Sequence, residues 1–322
     1  MSTASAPDIL TLLASVPGTV QMDEDQRAAM TLLCRDTDYI PKVANAGEVV
    51  PISDQRFGQI MHNGLVVEAD GYCGRWMTNI IKGLRGHHEP QEEKAFHEVL
   101  RRIGPGAKMM EFGSWWSYYS LWFQRAVASA ANICIEPDAT HLELGRRNAA
   151  LNGATIDFRL GAGGERHEEP VVLTRESDGC AVVVPVLTVD GLMRSSGWDR
   201  LDLLHLDIQG AETAALRGAF QTLNARAVRF VFVSTHHWAI SGSPDTHGEC
   251  LRFLRSLGAH ICCSHTVAES FSGDGLIVAS FDDADADFRV ETAINHTDRS
   301  LFRPYEQDLA ILVGALRNAS PR

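Results

Sequence analysis

Five residues at or just after the ends of apolar runs have the types and spacing to do chemistry. Glu111 is next to last in AKMMEF and Glu136 closes ICIE, two carboxylates about 25 residues apart, each where an apolar strand should give way to a turn. A carboxylate at the second position can accept both hydroxyls of a ribose, and Gly113 leaves the backbone beside the first free of a side chain. The turn after Glu111 reads Ser114, Trp115, Trp116 and Ser117 and lacks the glycine spacing of a pyrophosphate loop,. It suits a nucleoside cofactor without phosphates. S-adenosylmethionine fits that description, because its ribose needs the acid and its amino-carboxylate tail can use a polar turn. Further on, Asp207 ends LDLLHLD ahead of Gly210, and His236 and His237 follow VRFVFVST. An imidazole with an ordinary pKa of about 6.5 can take a proton from a hydroxyl near neutral pH, and strand alternation turns only one of two adjacent histidines into a crevice. Plainer uses exist for each: a helix cap for Asp207, loop bracing for the histidines, and a first-turn acid favoured by the helix dipole for Glu212.

Those residues need strands to hold them in one row. Strands are expected at 107–112, 132–136, 155–160, 182–186, 200–207 and 228–234, and a last pair at 259–263 and 275–280. Helices should fall between them: one carrying Tyr118, Leu121 and Trp122, one capped by Asp138 and stopped at Asn152 and Gly153, one over 211–223, and one over 245–257. Alternation of this kind predicts a mostly parallel sheet covered on both faces, with ligands at the carboxyl ends of its strands. Glu111, Glu136, Asp207 and His236 all fall at such ends. The glycines of SFSGDG permit a reversal, so the last two strands should run in opposite senses at the sheet edge.

Composition narrows the function. The chain has 322 residues, of which 45% are hydrophobic and 22% charged, enough for one large α/β domain with additions,. A formal net charge of -12, with no cluster of Lys and Arg interleaved with aromatics, argues against nucleic acid,. The seven cysteines are scattered without metal-ligand spacing and sit mostly in apolar runs, the usage of reduced core thiols,. The first 30 residues carry Asp8, Asp23, Glu24 and Asp25 and lack a basic start followed by an apolar block, and no later run approaches a membrane-spanning length of ~18 residues,. A cytoplasmic location without membrane insertion is the expectation.

From about residue 85 to 281 the chain resembles the FkbM family of S-adenosylmethionine-dependent methyltransferases. The resemblance is carried in order by HEPQEEKAF at 88–96, EFGSWWSYYS at 111–120, IEPD, GRRNAALNG at 145–153, VPVLTVDGL at 184–192, HLDIQGAE at 205–212, and the histidine after the 228–234 strand. It implies a Rossmann-like class I methyltransferase fold: a seven-stranded, mostly parallel sheet with one antiparallel edge strand. It also implies methyl transfer to hydroxyls of sugars or natural products. Carried over, cofactor contacts fall to Glu111, Gly113, Ser114, Trp115, Ser117, Glu136, Pro137 and Asp207, and catalysis to His236, His237 and Asp207. The sequence departs from the family at the turn, where Trp115 and Trp116 replace smaller residues, and in three other places. Ser117 stands where a third glycine is common, Ile208 and Gln209 where a valine-glutamate pair is common, and Ser234 near where a glutamate is common. Losing two glutamates removes anionic ligands, so a metal-free mechanism is expected and Mg²⁺ is not favoured. The alternatives are a scheme in which Asp207 and a histidine hold Mg²⁺, and a cofactor-binding partner without catalysis in a biosynthetic complex.

The boundaries read as an N-terminal helical or cap region over 1–84, the methyltransferase domain over 85–281, and a tail over 282–322. EADGYCGRWMTNIIKGLRGHHEP at 68–90 mixes Tyr72, Trp76, Lys82, Arg85 and His88 and suits a segment folded over the crevice to select the acceptor. FDDADADF at 281–288 reads as a solvated acidic loop. FRPYEQDLAILVGALR at 302–317 reads as an amphipathic helix that docks on the domain or on a second subunit of a homodimer.

Overall fold

The computed structural model describes residues 23–295, apart from Pro244, together with Val313. The helix expected over 302–317 and the first 22 residues lie outside them. In chain order the elements are α1 (Glu24–Thr31), β1 (Val49–Ser53), β2 (Arg56–Ile60), β3 (Val66–Glu68), α2 (Arg75–Gly83), α3 (Pro90–Leu100), β4 (Lys108–Phe112), α4 (Tyr118–Ala126), β5 (Ala131–Glu136), α5 (Ala139–Leu151), β6 (Asp157–Leu160) and β7 (Ala162–Gly163). They continue with β8 (Pro170–Thr174), β9 (Ala181–Leu187), α6 (Val189–Ser195), β10 (Leu201–Leu206), α7 (Glu212–Arg217), α8 (Phe220–Asn224), β11 (Val228–Thr235), α9 (Trp238–Ser241), α10 (Thr246–Ser256), β12 (His260–His265) and β13 (Gly275–Ser280).

Seven strands form the central sheet in the order β12-β13-β11-β10-β4-β5-β6. β11, β10, β4, β5 and β6 pair in parallel, and β13 runs antiparallel to both neighbours. The reversed strand is therefore one place in from the edge, between β11 and β12. This is the mixed, mostly parallel sheet of a class I methyltransferase. Its central strands are apolar on both faces because helices cover both. Alternation sorts them: Met109, Leu203, Phe230 and Phe232 join one core cluster, while Met110, Leu204, Val231 and Val233 join the other,.

Local signals explain the element ends. Asp138 accepts from the backbone of Thr140 at 2.8 Å and caps α5, and Gly153 stops it at φ 62°,. The single helix expected over 211–223 is two, α7 and α8, divided at Gly218 and Ala219. Gly218 packs so closely that an added Cβ would lie 2.1 Å from the carbonyl oxygen of Gly164. The run at 182–186 forms β9, which pairs with β7 and β8 in a separate three-stranded sheet.

The segment before residue 85 is not all-helical. Besides α1 and α2 it holds a three-stranded antiparallel sheet, β1-β2-β3. Its Met61, Leu65, Val67, Met77, Ile80, Ile81 and Leu84 belong to the same core cluster as Phe96, Trp116, Trp122 and Phe232. The acidic stretch at 281–288 is also not simply solvated. Asp285 is fully buried, paired with Arg229 through both oxygens at 3.0 and 3.1 Å and accepting from Ser280 Oγ at 2.9 Å. A buried carboxylate persists because those partners replace its water.

Candidate active site

A cavity of about 730 Å³ opens at the carboxyl ends of β5, β4, β10 and β11, within the usual size of a small-molecule site. Its walls come from the parallel strand ends, from the β8–β9 hairpin, and from the N-terminal addition, which contributes Arg27, Thr31, Tyr72, Trp76, Met77 and Ile80.

At the β5 end, Glu136 is 5% exposed; its Oε2 accepts from Trp115 N at 3.0 Å and its Oε1 from Asp138 N at 2.9 Å. Each oxygen keeps a second lone pair for a ligand hydroxyl. Burial pushes the Glu136 carboxyl up to about 7, against the pull of those two amides,. Pro137 lines the cavity beside it. Trp115, at φ 36°, stacks on His141 with centroids 3.9 Å apart. Glu111 lines the floor, and its Oε2 accepts from Ser120 N at 3.1 Å, so it also anchors the start of α4.

Gly113 is needed for a different reason from the one its position suggests. Its φ is 75°, and a Cβ there would fall 1.6 Å from the carbonyl oxygen of Asp207. The missing side chain lets β4 and β10 run on side by side, and the residue still faces the cavity,. Ser114 also lines the cavity, with a buried hydroxyl that has no partner. Ser117 does not line it. It is fully buried at φ 62°, close enough to α5 that a Cβ on Gly145 would lie 2.4 Å from its hydroxyl.

At the β10 and β11 end, Asp207 and His236 meet as their strand positions implied. His236 Nε2 is 3.3 Å from Asp207 Oδ1 and 3.6 Å from Asp274 Oδ1, and its Nδ1 is 2.8 Å from Glu212 Oε1. Burial alone would lower this imidazole, but the charge of Asp274 and the bonds to Asp207 and Glu212 hold it well above its ordinary value,. Asp274 itself is raised to about 7 by burial, with Asp207 and Glu89 adding to the rise and His236 opposing it. His237 lies outside this group: its Nδ1 accepts from Ala239 N at 3.3 Å and caps α9. It does not line the cavity.

Residues 106–261 match the family model described as Methyltransferase FkbM domain. This segment is an FkbM methyltransferase domain. No curated protein matches the chain. Among solved structures, TrmK from M. capricolum in complex with S-adenosyl-homocysteine is 11% identical, with a TM-score of 0.40 over 71% of this chain and 88% of that one. An O-methyltransferase from Bacillus cereus in complex with SAH is 12% identical, with a TM-score of 0.35 over 57% of this chain and 78% of that one. What those two proteins act on says nothing about this chain.

The FkbM domain is a methyltransferase, and its site includes residues that motif reasoning missed. Asp274 and Ser272 reach the cavity from the loop before β13. His88, from the segment already expected over the crevice, and Glu89 reach it just ahead of α3, with His88 Nε2 3.2 Å from Glu89 Oε2. Burial would lower His88, but Glu89 and Glu93 raise it to about 10. Where the family commonly has a glutamate near Ser234, a carboxylate is present from elsewhere: Ser234 Oγ donates to Glu92 Oε2 at 2.7 Å. Behind the cavity, ligand atoms of His62, His87 and Glu93 lie within 4.8 Å of one another. The two imidazoles stack at 4.3 Å and 15°, so one ion cannot lie in both ring planes,. The group reads as a hydrogen-bonded network, with Tyr118 OH 3.0 Å from His62 Nδ1.

The polar lining fits a nucleoside with an amino-acid arm. Glu136 has lone pairs for a ribose, and Ser114 Oγ, Trp115 Nε1 and His205 Nδ1 are buried at the cavity without partners,.

Proposed function

We propose that the protein is an S-adenosylmethionine-dependent O-methyltransferase acting on a hydroxyl of a small molecule or glycan. When bound, the cofactor supplies a sulfonium-activated methyl group. Glu136 would hold the ribose hydroxyls, with Pro137, Trp115, Glu111, Gly113 and Ser114 shaping the rest of the cofactor half. The N-terminal addition closes the acceptor half with Tyr72 and Trp76, and Tyr72 is stacked on Trp116 at 4.6 Å and 3°. Aromatic faces beside carboxylates suit a polyhydroxylated acceptor better than an anionic one.

The observation that carries the reading is that carboxylates flank both nitrogens of His236. A ring so held stays protonated, so it positions rather than accepts. The hydroxyl proton goes instead to Asp207 or Asp274, which both line the cavity and lie 3.3 and 3.6 Å from Nε2. Methyl transfer then depends chiefly on alignment of hydroxyl and methyl, with proton removal contributing about 10²–10⁴ in rate.

The experiment is incubation of the full chain with S-adenosylmethionine and a panel of sugar and natural-product alcohols, with and without EDTA, read by mass spectrometry for methylated product and S-adenosylhomocysteine. Product formation that survives EDTA is expected. Loss on chelation and return with Mg²⁺ would replace this reading with the metal-assisted scheme, and no turnover with any acceptor would favour the binding partner.

A further inference from the structure

Strand β10 carries His205 two residues before Asp207, which follows the strand, and both line the cavity. The ring is 1% exposed and lines the cavity. Its Nε2 is 2.7 Å from Glu92 Oε1, and the other oxygen of Glu92 is held by Ser234. A carboxylate offers only lone pairs, so Nε2 carries a hydrogen and donates it. The ring leans on Tyr119 at 4.5 Å, which keeps it from turning away. Nδ1 is then left buried with no partner. A polar atom fixed in that state is costly unless a ligand completes it.

Position says which part of a ligand would do so. The cavity crosses the strand ends from Glu136 on β5, past Glu111 on β4, to Asp207 after β10 and His236 after β11, and His205 is the register partner of Glu111. A sulfonium has three arms. With the adenosyl arm at Glu136 and the methyl directed at Asp207 and His236, the remaining arm must take the floor between them, where His205 stands. We propose that His205, fixed by Glu92, binds the amino-carboxylate arm of S-adenosylmethionine through Nδ1. This rests on the cofactor reading above, and it adds a recognition residue in the middle of a strand.

The test compares S-adenosylhomocysteine with 5′-methylthioadenosine, which keeps the adenosine and thioether but lacks the amino-acid arm. Both are titrated calorimetrically into the full chain and into two variants. His205→Gln can keep the contact to Glu92 but removes the Nδ1 position; His205→Asn keeps a polar atom near Nδ1 but gives up Glu92. For H205Q, S-adenosylhomocysteine affinity should fall about tenfold or more while 5′-methylthioadenosine affinity holds. H205N should lose less. In the parent protein with ¹⁵N-labelled histidines, the His205 Nδ1 resonance should move on adding S-adenosylhomocysteine and stay put with 5′-methylthioadenosine, a readout that needs no variant to fold. Equal losses for both ligands, unchanged S-adenosylhomocysteine binding in H205Q, or an Nδ1 signal indifferent to either ligand would overturn the assignment and leave the cofactor reading standing. A parent protein that binds neither ligand would overturn both.

Discussion

Glu212 Oε1 lies 2.8 Å from His236 Nδ1 and also accepts from Gly210 N at 2.9 Å, so one buried oxygen fixes both the imidazole and the turn after β10. Glu212→Gln keeps the size and removes the charge. It should lower kcat about tenfold or more without changing the dissociation constant for S-adenosylhomocysteine, a split measured by steady-state kinetics beside calorimetry. A matching loss in cofactor affinity would mean that Glu212 supports the whole crevice rather than the ring.

Asp274 is expected to matter as much as Asp207, although it comes from a loop rather than from a parallel strand end. Asp274→Asn and Asp207→Asn should each cost about 10²–10⁴ in kcat with cofactor affinity nearly intact. Full activity in both would remove the carboxylates from proton transfer.

Glu136 makes stability depend on pH. An unfolded carboxyl ionises near 4.5 and the folded one near 7, so the native state holds its proton longer and stability falls as pH rises between those values. At about 1.4 kcal/mol per unit, ionising it in place costs about 3 kcal/mol. Glu136→Gln has no such charge, so its stability relative to the parent should improve by up to about 3 kcal/mol from pH 4.5 to pH 8. Urea denaturation at the two pH values measures the change, and a constant difference would acquit Glu136.

Gly113→Ala should be among the most damaging single changes, since the new Cβ would meet backbone rather than a side chain that can move. Destabilisation beyond about 3 kcal/mol is expected from the clash together with the positive φ. Thermal or urea unfolding checks it, and a variant as stable as the parent would mean that β4 and β10 can separate without cost.

The sheet and the Glu111, Glu136, Asp207 and His236 row were legible in the sequence because each ends an apolar run long enough to be a buried strand,. Other members carried no such signal. His205 sits inside HLDIQGAE and gains its meaning only from Glu92, which is 113 residues away. Asp274 belongs to a stretch that reads as a turn because of its glycines. Ser117 and His237 were misleading for the opposite reason: both sit in the right motif, but a left-handed backbone buries one and the start of α9 recruits the other as a cap. The small sheet at 49–68 was hidden because its strands are short and largely exposed or half-buried. That sheet and α2 share a hydrophobic core with α3 and α4, so the N-terminal region packs as part of the same body as the strands that carry the cavity.

The reversed strand has a consequence for how such an enzyme can change. Parallel strands bring only their carboxyl ends to the crevice, whereas β13, running the other way, brings its amino end, and with it Ser272 and Asp274. The loop carrying them is bounded by β12 and β13 and lies on the far side of the sheet from Glu136. Apart from Asp274, its length and composition can therefore change while the Glu136 end of the cavity is left untouched. An engineer diversifying residues 271–273, with Asp274 kept, would be reshaping the wall beside His236 along a route that the topology has already separated from the Glu136 end of the cavity.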